Sequence, residues 1–274
     1  MIALLAFESK RAFVNPFFAI ALAVGTAIVV CHIFCSVLPE SSEQAMYLDA
    51  VRHPLNVFNR WIGGWPGSVF PALYFFILPL LAALPHGNTL YSDKKTGYIS
   101  QVLMRKPSSG HYYAAKYIAT FLSGAIVATT PLLLDFYLTS LILPQATPDP
   151  SSGMYPIFAY SMWSEIFFSS PYLYVAMYLV LIFVTSGIIA CIPLTFSSLL
   201  DNKALVTCSG FFLCSIAAYL FGTGDATYLA PTIFLRPDQP SWGYEFWQIA
   251  IVLSVSACIE ALYLVHLHRH DATN

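Results

Sequence analysis

Acidic side chains inside apolar segments are the first candidates for chemistry in this sequence. Asp135 and Glu260 each lie within a long apolar run. An ionisable group in hydrocarbon is costly, so it usually faces a protein interior or a water-filled cavity. Each residue is a candidate for lining a transport path or relaying protons, and each is equally suited to a structural hydrogen bond. Their depths in the predicted helices differ by roughly 15 Å, so the sequence predicts that they do not share a proton.

Histidine and cysteine residues offer weaker candidates for metal chemistry. Six cysteines lie in apolar runs without the loop spacing of a zinc site or a disulfide framework: Cys31, Cys35, Cys191, Cys208, Cys214 and Cys258. Small apolar packing residues are the preferred interpretation, even for the pair spaced four apart. His266, His268 and His270 alternate, which puts neighbours on different helix faces and favours a basic tail over a metal site. His32 is interpreted as a satisfied interior histidine rather than a ligand. We therefore predict no metal site.

Composition decides what kind of molecule must position these residues. Of the 274 residues, 58% are hydrophobic and only 9% are charged, whereas soluble domains carry about 25% charged residues. Most of the surface must therefore face lipid. The net charge of −2 and the absence of a long basic run argue against nucleic-acid binding. No catalytic set of side chains and no GxxxxGK[ST] phosphate loop occurs, so an enzyme is the least favoured class.

Six apolar runs are long enough to be membrane helices, which need about 20 residues each. The sequence predicts an all-α polytopic membrane protein that forms a single permease domain over residues 1–274. The predicted spans lie near 16–38, 68–86, 117–143, 171–195, 204–222 and 247–268. Residues 1–14 are too short and too charged to cross, so we expect an interfacial amphipathic helix there.

The basic residues predict the orientation, because cytoplasmic loops carry an excess of Lys and Arg. With both termini in the cytoplasm, nine basic residues fall inside and three outside, while eight of the fourteen acidic residues fall outside. All five tryptophans then lie on the outer side or at its border, as an aromatic belt. The large inner loop is residues 87–116.

That inner loop is the only sizeable polar segment predicted on the cytoplasmic face. A short helix from Lys94 to Met104 would place Ile99, Val102 and Leu103 on one face. Pro107 would end it, and Ser108 to Gly110 would form a flexible joint. Such a helix suits docking into a groove on a partner.

The order of these parts resembles the type-2 ABC exporter permeases. The similarity lies in an N-terminal helix with a Glu-Ser-Lys-Arg segment, two spans, and a loop with an acidic residue, a Gly, an apolar stretch, a Pro and a Lys in succession. The matching loop positions are Asp93, Gly97, Val102 with Leu103, Pro107 and Lys116. The family usually has Glu at the acidic position, and the basic residue often found after Pro-Ser is missing here, since Ser109 and Gly110 stand there.

The resemblance implies a coupling helix that docks on two copies of a separate ATP-binding subunit. The expected coupling residues are Asp93, Lys94, Lys95, Gly97, Val102, Leu103, Arg105 and Lys106. The basic ones are equally explained as topology determinants near anionic headgroups. The chain itself would bind no cofactor, with ATP and Mg on the partner. It would pair with a second permease, as a homodimer or heterodimer, in a bacterial cell membrane.

The resulting expectation is export of an apolar or amphipathic substrate by alternating access. Two alternatives stay open. One is an ion-coupled secondary transporter that uses Asp135 or Glu260, and the other is a non-transporting sensor or immunity protein of the membrane. The sequence identifies neither the substrate nor the direction of transport.

Overall fold

The structure, a computed structural model, describes residues 2–46, 55–64, 67–105, 109–150, 155, 157–240 and 243–273. Within these ranges the chain is all-helical and contains no β-strand. In the described ranges the helical elements follow each other as α1 (Ile2–Phe13), α2 (Pro16–His32), a π-helical segment (Ile33–Val37), α3 (Leu38–Met46), α4 (Val57–Arg60), α5 (Val69–Ala83), α6 (Thr89–Lys95), α7 (Tyr98–Arg105), α8 (Ser109–Ile142), α9 (Ser164–Ser169), α10 (Pro171–Phe196), α11 (Lys203–Phe221), a 3₁₀ turn (Thr227–Leu229), α12 (Pro231–Phe234) and α13 (Phe246–Thr273).

Five helical segments of the described chain are long and apolar enough to cross a membrane. They are Pro16–Ser42, Gly110–Ile142, Pro171–Phe196, Lys203–Phe221 and Phe246–Leu267. The protein is therefore an α-helical, multi-pass membrane protein. The predicted second span, 68–86, is the shorter apolar helix Val69–Ala83. At 15 residues it falls short of the usual span length. Pro85 has no N–H to continue the helical ladder, and a turn follows.

The ends of the long helices are set by caps that the sequence supplies. The Asn15 side chain accepts hydrogen bonds from the backbone of Phe17 and Phe18 and so starts α2. Asn202 does the same for α11, and Pro171 stands at the first position of α10. These side chains satisfy N–H groups that a helix start leaves without partners. The helices therefore begin at or within one residue of the predicted positions.

Two helices begin or end away from the prediction. The predicted third span began at residue 117, whereas α8 begins at Ser109 and runs for 34 residues. Ser109 and Gly110 are thus part of a helix and not a flexible joint. Pro107 lies outside the described residues. The first span does not end at residue 38, because the π segment leads directly into α3.

Helix α8 defines two ends of the bundle, which we call the Lys116 end and the Asp135 end. Helices α1, α6 and α7 gather at the Lys116 end. Helices α4, α9 and α12 lie at the Asp135 end, where Trp61 packs on Phe136 with ring centroids 5.5 Å apart. Trp163 lies at the same end through its contact with Phe246. Trp65 and Trp242 lie outside the described residues.

Burial separates the central helices from the peripheral ones. About 61% of the apolar window of both α8 and α10 is buried inside the chain, against 6% for α13. Helices α8 and α10 therefore form the centre of the bundle. Helix α13 offers most of its surface to lipid or to another protein.

The polar loop before α8 contains two short helices instead of the single predicted one. Helix α6 ends at Lys95 and α7 begins at Tyr98. Between them Gly97 has a φ of +69°, and a Cβ built on it would meet no atom within 4 Å. Glycine is needed there for its backbone conformation rather than for space, because L-residues rarely adopt this region. Gly97 therefore breaks the predicted helix in two.

Candidate functional site

A buried group of charged side chains holds the polar loop against the membrane helices at the Lys116 end. We call it the Asp93 network, and its members are Glu8, Arg11, His86, Asp93, Tyr112 and Lys116. Helix α1 supplies the first two, the turn after α5 supplies His86, α6 supplies Asp93 and α8 supplies the last two. Four segments between residues 8 and 116 of the sequence therefore meet at one polar centre.

Asp93 is the acceptor at the middle of this network. Arg11 donates to both carboxylate oxygens, at 3.1 Å and 2.9 Å. Lys116 Nζ donates to Oδ2 at 2.6 Å, and the Tyr112 hydroxyl donates to the same oxygen at 2.7 Å. Asp93 is 3% exposed and Lys116 is fully buried. A two-pronged Arg contact fixes orientation as well as distance, so α6 is held firmly against α1 and α8.

Glu8 forms the second acidic centre of the Asp93 network. Its carboxylate accepts from Arg11 at 3.0 Å and from Lys116 Nζ at 3.3 Å. His86 Nε2 lies 3.2 Å from Glu8 Oε2, and His86 Nδ1 lies 2.7 Å from the Thr120 hydroxyl. With a neutral His86, two carboxylates balance two cations. Charge balance is what allows such a group to be buried.

The surroundings shift the pKa values of the acidic groups downward. Burial alone would raise the pKa of Asp93, but hydrogen bonds from Arg11 and Lys116 outweigh it and lower the pKa to about 2. Burial would likewise raise the pKa of Glu8, but the neighbouring His86, Lys116 and Arg11 outweigh it, so the pKa of Glu8 is lowered. Burial lowers the pKa of His86 despite the nearby carboxylate. All three directions favour a network of ionised acids and a neutral imidazole at pH 7.

These shifts predict how stability depends on pH. The contribution of Asp93 and Glu8 is complete above their ordinary values of 3.8 and 4.5, and is lost as the pH falls through the lower folded-state values. His86 adds an earlier loss below its ordinary value of 6.5, because the unfolded chain binds that proton first. We expect the melting temperature in detergent to decrease from pH 7 to pH 5 and then more steeply towards pH 3.

A matched comparison isolates this effect. Asp201 has a fully exposed side chain at the same end of the bundle. The D201N variant should therefore show the same dependence of melting temperature on pH as the wild type. A melting temperature that stays constant between pH 7 and pH 4 would show that the Asp93 network does not stabilise the fold.

The predicted coupling residues separate into one buried acid and an exposed edge. Asp93 is buried in the network, whereas Lys95 is on the surface with its Nζ 3.5 Å from Asp201. The Tyr91 hydroxyl also donates to the backbone carbonyl of Asp201. Lys94 is partly buried. The edge of α6 is thus joined to the short loop between α10 and α11.

The apolar face predicted for the loop helix is present on α7. Ile99 is buried, and Val102 packs against the same cluster, which includes Leu90, Tyr112 and Leu194. Leu103 and Arg105 lie on α7, although their side chains are outside the described part of the chain. Lys106 is outside it altogether. The described apolar residues of α7 therefore pack on the bundle and leave the opposite face outward.

Asp135 belongs to a second buried polar contact at the other end of the bundle. One carboxylate oxygen lies 2.7 Å from His32 Nδ1, and the other accepts from the backbone N–H of Ile62 at 2.6 Å. Both Asp135 and His32 are fully buried. The predicted interior histidine is thus partnered at Nδ1, while its Nε2 has no hydrogen-bond partner among the described residues. This contact joins the first span, α8 and the segment after α4.

Glu260 stands apart from Asp135, as the sequence predicts. It lies on α13, 14 residues after Phe246, which is at the Asp135 end. Its Oε1 has no hydrogen-bond partner in the described part of the chain. The two acids therefore belong to different halves of the bundle and do not form one site.

Sequence reasoning did not assign Glu8, Arg11, His86 or Tyr112 to the candidate site. Two signals were present in hindsight. Glu8 and Arg11 are three apart, which puts them on one face of a helix whose first half is apolar. Lys116 lies at the start of a long apolar run, where an isolated cation needs a buried partner. Neither signal indicated which distant residues would meet.

Comparisons with protein-family models, with curated proteins and with solved structures found no match for this chain. The physical capability of the site follows from its geometry. The Asp93 network joins α6 to α1 and α8 by ion pairs, and the apolar face of α7 packs on the same helices. A force applied to the outward edge of α6 would be transmitted to the long helix α8.

Proposed function

We propose that this chain is the membrane-spanning permease subunit of an ATP-driven exporter of the type-2 ABC class. The observation that carries the proposal is the Asp93 network. It fastens a short, outward-facing helix to the start of a membrane helix that runs the length of the bundle. Such a connection suits an element that receives force from a separate protein.

The exposed edge of the loop offers polar residues and one charged side chain to a partner. Lys95 is exposed, and Thr96, Gly97 and Gln101 are exposed beside it. Leu199, on the neighbouring loop, has 70% of its surface exposed although it is apolar. Two ATP-binding subunits would each hold ATP and Mg, and this chain would hold neither.

The proposal includes six crossings with both termini in the cytoplasm. Helix α5 would make the sixth crossing. The Lys116 end would face the cytoplasm, because Lys10, Arg11, Lys94, Lys95 and Lys203 all belong to segments at that end. Two such chains, or this one and a related permease, would form the path for an apolar or amphipathic substrate in a bacterial cell membrane.

A charge reversal at the exposed edge tests the docking claim. We expect K95E to weaken co-purification with the ATP-binding subunit encoded nearest to this gene by roughly tenfold, since a charge contact at the rim changes to a repulsion. Replacing residues 94–106 with a Gly/Ser segment of equal length should abolish it. The measurement is the ratio of ATPase to permease after affinity purification in detergent.

The matched control is K10E, an exposed lysine of α1 at the same end of the bundle. It should leave the ratio unchanged while producing the same change in net charge. An ATPase that stays bound to the protein with residues 94–106 replaced would contradict the proposed coupling surface.

A further inference from the structure

The Asp135 end contains an aromatic cavity that no part of the proposed coupling mechanism uses. Its volume is about 440 Å³, and its lining includes Tyr160, Trp163, Tyr244, Glu245, Phe246 and Trp247. Five of these six side chains are aromatic. Glu245 is the one carboxylate among the lining residues, and no Lys or Arg is among them. The faces of aromatic rings and a carboxylate all attract cations.

Directly beside this cavity lies an apolar groove between α10 and α13. The groove has a volume of about 550 Å³, and Trp163 and Phe246 line both spaces. Along α10 the groove runs from Leu173 to Val184, which is about 16 Å at 1.5 Å per residue. That length is close to half of the roughly 30 Å hydrocarbon thickness of a bilayer. The groove therefore has the depth of one leaflet.

The two aromatic side chains at the junction are held in place by the fold. Trp163 has a φ of +61°, a conformation that a bulky residue adopts only when its surroundings impose it. Its ring lies 5.3 Å from that of Phe246 and 5.4 Å from that of Tyr178. The Trp247 indole donates to Glu245 Oε2 at 2.8 Å, which positions the carboxylate.

We propose that the cavity and the groove together bind a membrane-embedded amphiphile with a quaternary ammonium head and a hydrocarbon tail. The head would lie against the aromatic rings and Glu245, and the tail would lie between α10 and α13. A primary ammonium has three N–H donors that need acceptors, whereas a quaternary ammonium has no N–H donor and is bound well by aromatic faces. An anionic head would face Glu245 without a cation among the lining residues.

The charge of the surrounding loops agrees with a cationic ligand. Eight acidic and three basic residues fall in the segments predicted to lie beyond this end of the spans. Such an excess raises the local concentration of cations near the mouth of the cavity. The inference does not depend on ATP-driven export, because binding is measured on the chain alone in the absence of nucleotide.

The test uses photo-crosslinking in lipid nanodiscs. The probe is hexadecyltrimethylammonium with a diazirine in its tail, and the labelled peptides are identified by mass spectrometry. We expect saturable labelling of residues 173–184 and 246–254. Hexadecyl sulfate with the same tail should label these segments no more than the lipid-facing surface of α11. E245Q and W247L should each weaken the saturable labelling about tenfold, and W247F, which keeps an aromatic face but loses the donor to Glu245, should weaken it less than W247L.

The matched control is E165Q, which removes one exposed carboxylate from α9 at the same end. It should leave the labelling unchanged, which separates the local effect of Glu245 from a general loss of negative charge. Equal labelling by the ammonium and sulfate probes, or full labelling of E245Q, would show that the rings serve only as interfacial anchors, and would overturn the proposal. Either outcome leaves the ATPase docking claim unaffected.

Discussion

K116M should produce the largest loss of stability of any single substitution at the Lys116 end. The side chain of Lys116 is fully buried and neutralises both Asp93 and Glu8. Its removal leaves two buried carboxylates with Arg11 as their only fully charged partner in the described network. Breaking a buried ion pair from one side costs about 3–5 kcal/mol. We expect a large decrease in melting temperature in detergent, measured by tryptophan fluorescence.

Two further variants show whether the loss comes from unbalanced charge. K203M removes an exposed lysine at the same end of the bundle and should change the melting temperature little. The double variant E8Q/K116M restores a balance between Arg11 and Asp93, so its loss should be smaller than the sum of the two single losses. Additive losses would mean that Glu8 and Lys116 do not interact in the folded protein.

D135L should produce a comparably large loss at the opposite end. Asp135 accepts from the buried backbone N–H of Ile62 and contacts the buried His32. Leucine would leave both groups without an acceptor, at a cost of about 1–3 kcal/mol for each orphaned group. D135N keeps a carbonyl oxygen of the same shape, so its loss should be clearly smaller. The measurement is again thermal unfolding in detergent.

The same position separates two mechanisms of transport. In an ATP-driven exporter, D135N should retain ATP hydrolysis by the reconstituted complex, because Asp135 then has a structural role. D225N, at an exposed aspartate in the segment after α11, is the matched control for the charge change. A D135N protein that unfolds like the wild type but has lost all transport in ATP-depleted vesicles would favour an ion-coupled transporter instead.

The positions of the long helices could be predicted from the sequence because each depends on local features. An apolar run of about 20 residues is a membrane helix whatever surrounds it, and Asn15, Pro171 and Asn202 start their helices through short-range hydrogen bonds and backbone geometry. The break at Gly97 was not predicted from the sequence. A single glycine is tolerated inside a helix, and whether the helix breaks there depends on where the following segment packs.

The membrane character, the helical class and the division of basic and aromatic residues between two ends were determined by the sequence alone. The physical reason is that each segment enters lipid according to its own hydrophobicity, whatever the rest of the chain does. Only the tertiary structure decided that Glu8 and Arg11 meet Asp93 and Lys116, and that Trp163 and Phe246 join a cavity to a groove. Those contacts depend on how helices far apart in the chain pack against each other. The spacing of residues along one helix does not predict that packing.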